Sequence, residues 1–282
     1  MREAIQAVLA AGLAWCVAGG PALAAAPAPD TCEPAVPCRD PRGCPDLVVD
    51  PAILARDLFV EYARLSSRTC TVQEGEVVAG DRFLLRFSSN TPNLGPGDLV
   101  IGNPLNHPEW FNFDTCHGHP HLKEYGDYRL WTPLGYQQWQ ELRARDRGRT
   151  CARDLLAANP GLVSQMVGGR KQGFCVVDLL PAEVACPFPL DTDKYFFCEG
   201  FPDEPDTNIQ GLSVCWADEY YWGLSGQWVD VTDLPDGDYV LEVEVNAEQF
   251  YEEVNYSNNS AAVQVHVVKP VGTRPYRYGR GY

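Results

Sequence analysis

Hydrophobic and polar positions alternate with period two through much of this chain, a pattern that predicts strands rather than helices. Arg82-Phe83-Leu84-Leu85-Arg86-Phe87 is one such run, ended by the turn-rich SSNTPNLGPGD. Leu99 to Gly102 is a second, and Tyr125 to Trp131 a third. The clearest signal lies in the C-terminal third. There Gln227 to Val231 leads through the turn Leu234-Pro235-Asp236-Gly237-Asp238 into the strict alternation of Tyr239 to Asn246. Ala261 to Val268 predicts a last strand, closed by Pro270, with His266 as a structural residue within it. Lys171 to Asp178 also reads as strand, and Pro45 to Asp50 opens the folded domain as a short one. Two stretches depart from the pattern. Ala52 to Arg64 has apolar residues at three- and four-residue spacing but many β-branched and aromatic types, so helix and strand both remain open. Residues 136–166 are rich in helix formers, carry a cluster of arginines and contain Cys151, which predicts one or two helices inserted between strands as a lid. The fold class that follows is mainly β: an antiparallel β-sandwich core with irregular loops and a short helical insertion.

The N-terminus changes where this domain should be sought. An apolar run from Ala4 to about Gly19, followed by small residues at Ala22, Ala24 and Ala26, has the layout of a secretory signal peptide over residues 1–26, cleaved near Ala24 or Ala26. The run is too short and too weakly flanked for a membrane span, so the expected location is secreted, with no transmembrane helix after cleavage. Residues 27–44 are Pro-rich and irregular, pinned by Cys32, Cys38 and Cys44; the folded domain is expected over 45–268, and 269–282 is a polar tail. The formal charge of −16 repels nucleic acid and favours cationic partners. Of 11 cysteines, those left once Cys16 departs with the signal are even in number, which in an exported chain reads as a disulfide framework.

Candidate chemistry centres on Phe113-Asp114-Thr115-Cys116-His117-Gly118-His119-Pro120-His121. Three of the five histidines fall here at alternate positions. On an extended strand His117, His119 and His121 share a face, roughly 6.5 Å apart along the backbone. Imidazole suits copper, zinc, iron or nickel, and a three-nitrogen set leaves a coordination position open.

The chain resembles the lysyl oxidase family, secreted copper amine oxidases that act on peptidyl lysine. The blocks that carry the resemblance are PDLVVDP at 45–51, CHGHPH at 116–121, GRKQGFCVVD at 169–178, QGLS at 210–213, DEY at 218–220, QWVDVTD at 227–233 and EVNYSNN at 253–259. The short signal has a bacterial look. The resemblance implies His117, His119 and His121 as copper ligands. It implies Lys171 and Tyr220 as the pair joined into lysine tyrosylquinone. The implied reaction is oxidative deamination of a primary amine, peptidyl lysine or a small amine, to an aldehyde, with O2 consumed and H2O2 and NH3 released. Asp127 and Glu124 are the nearest carboxylates past the histidines and are candidates for the base. The resemblance further implies disulfides Cys116–Cys198 and Cys175–Cys186. Several positions depart from the family pattern. Asp114 stands where a further histidine is common. Gly226 stands at the usual end of a bridge from Cys215, so Cys151 is the expected partner, which would tether the insertion near Tyr220. Glu76 stands where Cys70 usually finds its partner, so Cys32, Cys38 or Cys44 is expected instead.

A second metal is also expected. Glu253, Asn255, Asn258 and Asn259 offer oxygen ligands of the kind calcium prefers, and the resemblance brings Asp46 and the Leu47 carbonyl to the same loop; an ordinary Asn-rich turn remains the alternative. Asn255 and Asn258 also begin glycosylation sequons, a use that competes with ligation. Two other function classes stay in view: a non-catalytic copper-binding extracellular β-sandwich interaction module, and a metal hydrolase working through an activated water. Lys171 and Tyr220 discriminate, because neither rival needs them.

Overall fold

A computed structural model describes residues 32–113, 116, 118–168 and 174–278. The expected signal peptide lies outside the described residues. Among those described, no helix is long and apolar enough to cross a membrane.

The ambiguous stretch after Asp50 turns out to be both elements in succession. Asp50 caps α1 (Pro51–Arg56): its carboxylate accepts the Ala52 and Ile53 N–H groups at 2.8 and 3.4 Å, and Pro51 opens the first turn, where no donor is needed. The β-branched and aromatic residues that follow then form β1 (Phe59–Leu65). After the short α2 (Cys70–Gln73) come β2 (Gly80–Arg86), β3 (Ser89–Pro92), β4 (Leu99–Gly102), β5 (Phe111–Asn112), β6 (His121–Leu122) and β7 (Gly126–Trp131). Helices α3 (Pro133–Asp146), α4 (Ala152–Ala158) and α5 (Pro160–Val163) are followed by β8 (Met166–Gly168) and β9 (Leu180–Pro181). The chain finishes with β10 (Gln210–Leu212), β11 (Trp216–Tyr220), β12 (Trp228–Asp230), β13 (Gly237–Val245), β14 (Ser260–Val267) and β15 (Tyr276–Arg277).

Two four-stranded sheets form the sandwich. One runs β12-β2-β1-β15, antiparallel except that the tail strand β15 pairs in parallel with β1; the other runs β14-β13-β7-β8 with antiparallel neighbours throughout. Smaller ladders are β3-β11-β9, β4-β10 and β5-β6. Leu85 and Val229 of the first sheet and Tyr128, Leu130, Leu241 and Val243 of the second meet in one buried core, with Leu99, Leu212 and Phe174 filling between. The segment from 175 to 178, expected as strand, makes no ladder; its neighbour Phe174 forms a single bridge to Leu122.

The same alternation that turns Tyr128, Leu241 and Val243 inward turns Arg129, Trp131, Val240, Glu242 and Glu244 to the outer face, and there the helices pack. Thr132 caps α3 by accepting the Gly135 N–H at 3.1 Å. Trp139 then stacks on Trp131 at 5.6 Å and donates its indole N–H to Glu242 at 3.0 Å. Trp131 and Arg129 also donate to Glu242, while Arg129 and Arg143 donate to Glu244. The helical segment therefore covers the outer face of this sheet, whereas Tyr220 packs against the inner core. It is not placed as a lid over Tyr220.

The cysteine pairing also differs from expectation. The bridges are Cys32–Cys151, Cys38–Cys44, Cys70–Cys116, Cys175–Cys198 and Cys186–Cys215. Neither Cys116–Cys198 nor Cys175–Cys186 forms, Cys151 does not reach Cys215, and Cys70 does not pair with Cys32, Cys38 or Cys44. The backbone explains the exchange, since a disulfide needs Cα atoms about 4.4–6.8 Å apart. Gln210 accepts from the Val176 N–H and donates to the Cys198 carbonyl, which sets Cys175 and Cys198 5.1 Å apart. The β9-β11 ladder continues as Ala182 N–H to Cys215 O at 2.8 Å and delivers Cys186 to Cys215.

Two expected outcomes test this packing. Trp139→Ala removes the indole that both fills the outer cluster and donates to Glu242, and should cost about 3–5 kcal/mol in urea unfolding; a loss under about 1 kcal/mol would mean the helices are not integral. The second concerns Glu248, which accepts the Arg153 N–H at 3.2 Å at the start of α4. Burial, and then the charge of Asp127, push its carboxyl up to about 7 from the ordinary 4.5. The folded state therefore holds a proton there that the unfolded state has released, so the contribution is full below pH 4.5 and is lost as pH rises through about 7. Glu248→Gln should be more stable than the parent above that pH, with the gap closing towards pH 4.5 in urea midpoints measured across the range.

Candidate active site

The histidine segment is not the extended strand its alternation suggests. Gly118 has φ +79°, a left-handed conformation that glycine adopts without penalty, and only His121 and Leu122 enter a strand. His121 is buried beside Asn112 of β5, and His119 folds back so that the two rings lie 4.9 Å apart at 71°. The start of the segment is tied down by Cys70–Cys116. His117, Asp114 and Lys171 lie outside the described residues.

From β6 the path to Tyr220 is short. The Leu122 N–H donates to Phe174 O at 2.9 Å, and the Phe174 ring meets Tyr220 edge-on at 5.2 Å. The next residue, Cys175, brackets the Tyr220 hydroxyl: that hydroxyl donates to Cys175 O at 2.8 Å and accepts from Cys175 N–H at 2.7 Å. Burial, and then the charge of Asp218, hold the Tyr220 proton well above the usual range. Tyr125, bonded to Thr91 at 2.7 Å, is raised by burial and by the same carboxylate. The loop after Tyr220 is held by Arg86, a fully buried cation on β2. It donates to the carbonyls of Trp222 and Leu224 at 3.2 and 3.3 Å, to Glu61 at 2.8 Å and to the Tyr278 hydroxyl in the C-terminal tail.

The two carboxylates expected as bases stand elsewhere. Asp127 neighbours Tyr128 on β7 and so points to the opposite, outer face, where it accepts from Arg129 at 2.9 Å. Glu124 sits in the turn before it, and its charge bears on Glu248 and Tyr251. The carboxylate at Tyr220 is Asp218, fully buried and two residues earlier on β11. The spacing was the available signal, because positions i and i+2 of a strand share a face.

Several residues of the second expected site are joined by hydrogen bonds. Glu253 accepts from Leu47 N–H at 2.6 Å, Asn246 at 2.5 Å and Asn259 at 2.7 Å, while Asn258 donates to Asp46 at 3.0 Å. Burial pushes the Glu253 carboxyl up to about 8 and raises Asp46 as well. The side-chain oxygens of Asn258 and Asn259 are enclosed with no hydrogen-bond donor among the described residues. Two carboxylates, and two amide oxygens without donors among the described residues, thus lie in one loop region, oxygen groups of the type hard cations take. Asn255 is different, because its oxygen accepts from Ser257 N–H and Oγ at 3.0 and 2.7 Å and shapes the turn.

Comparison with known proteins bears on this arrangement. The lysyl oxidase family model matches residues 151–271. Lysyl oxidase homolog 1 of Homo sapiens is 29% identical over 241 residues, covering 82% of this chain and 34% of that protein. Protein-lysine 6-oxidase of Homo sapiens is 27% identical over 228 residues, covering 77% and 44%, and lysyl oxidase homolog 2 of Mus musculus is 29% identical over 225 residues, covering 76% and 23%. The chain thus spans less than half the length of these relatives. With the fold mainly β, the chain is similar to lysyl oxidases through most of its length.

Proposed function

We propose that the chain is a secreted copper-dependent amine oxidase, converting a primary amine (a lysine side chain or a small amine) to an aldehyde with O2 consumed and H2O2 and NH3 released. The supporting observation is the bridge from β6 to Phe174 and the bracket of the Tyr220 hydroxyl by Cys175. The donor set fits copper, since His119 and His121 converge as imidazoles and His117 is the expected third ligand. Lysine tyrosylquinone, made from Lys171 and Tyr220, is the group that would supply the electrophilic carbonyl and the electron sink. The chain's own residues do the rest. Cys175 fixes the direction of the Tyr220 oxygen, and Phe174 shields the ring from water. Asp218, enclosed on the same strand face, is the carboxylate we assign to take the substrate's α-proton. The acidic surface draws in cationic amines and repels nucleic acid. Asp46, Leu47, Glu253, Asn258 and Asn259 we assign to calcium, as a clasp joining the two ends of the domain.

Copper-loaded protein should stain as a redox-cycling quinone after denaturation and release peroxide from a primary amine. Tyr220→Phe should lose both with its circular dichroism unchanged, while Asp218→Asn should keep the stain and lose about a hundredfold in turnover. Recovery of Lys171 and Tyr220 as unmodified peptides from peroxide-silent, copper-loaded protein would leave the non-catalytic copper-binding module in its place. Separately, calcium returned to chelator-treated protein should raise its melting temperature, by about 2.7 kcal/mol of stability at a hundred times the dissociation constant. Asn259→Ala should remove most of that gain in a thermal melt; an equal gain in the variant would mean the loop is only a turn.

A further inference from the structure

Arginine is concentrated in one place on this acidic chain. Of the 22 basic residues in a protein of net charge −16, Arg143, Arg145, Arg147, Arg149 and Arg153 fall in one short stretch across the end of α3 and the start of α4. Arg143 is paired with Glu244, and Arg153 with Asp154 and Glu248. Asp146, the acid inside the stretch, is occupied by the Thr150 N–H and hydroxyl at 2.9 and 2.7 Å. Arg145, Arg147 and Arg149 are exposed, and none is paired with a carboxylate among the described residues; Arg149 instead donates to the Asp146 and Arg145 carbonyls at the helix end.

Arg147 is the informative member. It is the C-cap of α3 with φ 59° and ψ 38°, a left-handed conformation where glycine or asparagine is the usual residue. An arginine here bears a backbone cost with no ion pair among the described residues in return, which turns attention to what its side chain faces. It faces a cleft of about 560 Å3 between α3 and the loop before β14, lined by Tyr136, Gln140, Arg143, Arg147, Ser257 and Ser260. That volume lies within the roughly 300–1,000 Å3 of small-molecule sites. Its floor carries Glu242, a carboxylate already engaged by three donors from Arg129, Trp131 and Trp139.

We propose that this cleft binds an acidic saccharide, a sugar unit bearing a carboxylate or sulfate. The guanidinium fork of Arg147 matches such a group in a two-bond geometry, with Arg143, itself paired with Glu244, beside it. Ser257, Ser260 and Gln140 supply hydroxyl and amide groups suited to sugar hydroxyls, and half-buried Tyr136 supplies ring surface for its C–H face. A nucleotide base finds no platform, because Trp139, the large ring of the cleft, is 1% exposed. Arg145 and Arg149, without a carboxylate partner among the described residues, raise the local potential on a chain of net charge −16. The cleft lies on the outer face of the sheet, away from Tyr220, so the inference does not depend on the amine oxidase reading.

Titration calorimetry of the purified full chain tests it, with digalacturonate as the carboxylate probe, a sulfated heparin disaccharide as the sulfate probe and lactose as the neutral control. At least one acidic disaccharide should bind, with affinity falling as chloride rises, and which one binds identifies the acidic group. Arg147→Gly should weaken binding about tenfold or more, the effect of one lost charge-assisted contact, with a melting temperature equal to or above the parent's because glycine relieves the left-handed backbone. Arg147→Lys, keeping charge without the fork, should fall between the two. Absence of heat with both acidic probes at about millimolar concentration, equal binding of lactose, or parental affinity in Arg147→Gly would each overturn the proposal.

Discussion

Two carboxylates buried on one strand set the terms for much of this molecule. Glu242 and Glu244 lie on the outer face of β13, 2% and 1% exposed, where an ionised carboxylate without donors is strongly unfavourable. Helix α3 must therefore dock where Trp139 and Arg143 reach them, and Arg129 must lie between. Removing one member of such a buried set typically costs about 3–5 kcal/mol, because the remaining charge is stranded. The polar network also keeps charge off the sheet's other face. That inner face is left apolar, and it can hold Tyr125, Tyr128 and Phe174 against Tyr220.

Legibility in the sequence followed the physics of each element. Where one sheet face meets a core and the other meets polar groups, period two is preserved, and β2, β4, β7, β13 and β14 lie close to where alternation predicts them. It failed where a single backbone position overrides the pattern. Gly118 turns left-handed in the middle of an otherwise alternating histidine run, so the extended strand begins only at His121. Asp50 and Pro51 impose a helix turn on a stretch whose second half is a strand. Asp218 went unread because DEY is too short for a periodicity, and because the choice of Asp127 used proximity along the chain, which a strand's two faces make misleading. Likewise, cysteine pairing depends on which backbones run side by side, and spacing carries little of that.

The site is framed by links between distant segments rather than by one element. Cys70–Cys116 fixes the approach to the histidines, and Cys175–Cys198 fixes the residue that brackets Tyr220. On another side, Glu253 accepts from Leu47 across 206 positions, closing the loop after β13 onto the start of the domain. Loop-closure entropy makes such contacts slow to form, and the two disulfides, once made, also remove freedom from the unfolded chain.

Arg86 adds a matter of timing to this frame. It holds the carbonyls that follow Tyr220 while its own guanidinium is capped by Tyr278. The residue that completes this contact is therefore synthesised 192 positions after Arg86. During synthesis the loop beyond Tyr220 can meet Arg86 early, but the cation stays partly uncapped until the tail arrives and lays β15 along β1. Any process acting on Tyr220 thus encounters two successive environments, one before the segment carrying Tyr278 has docked and one after.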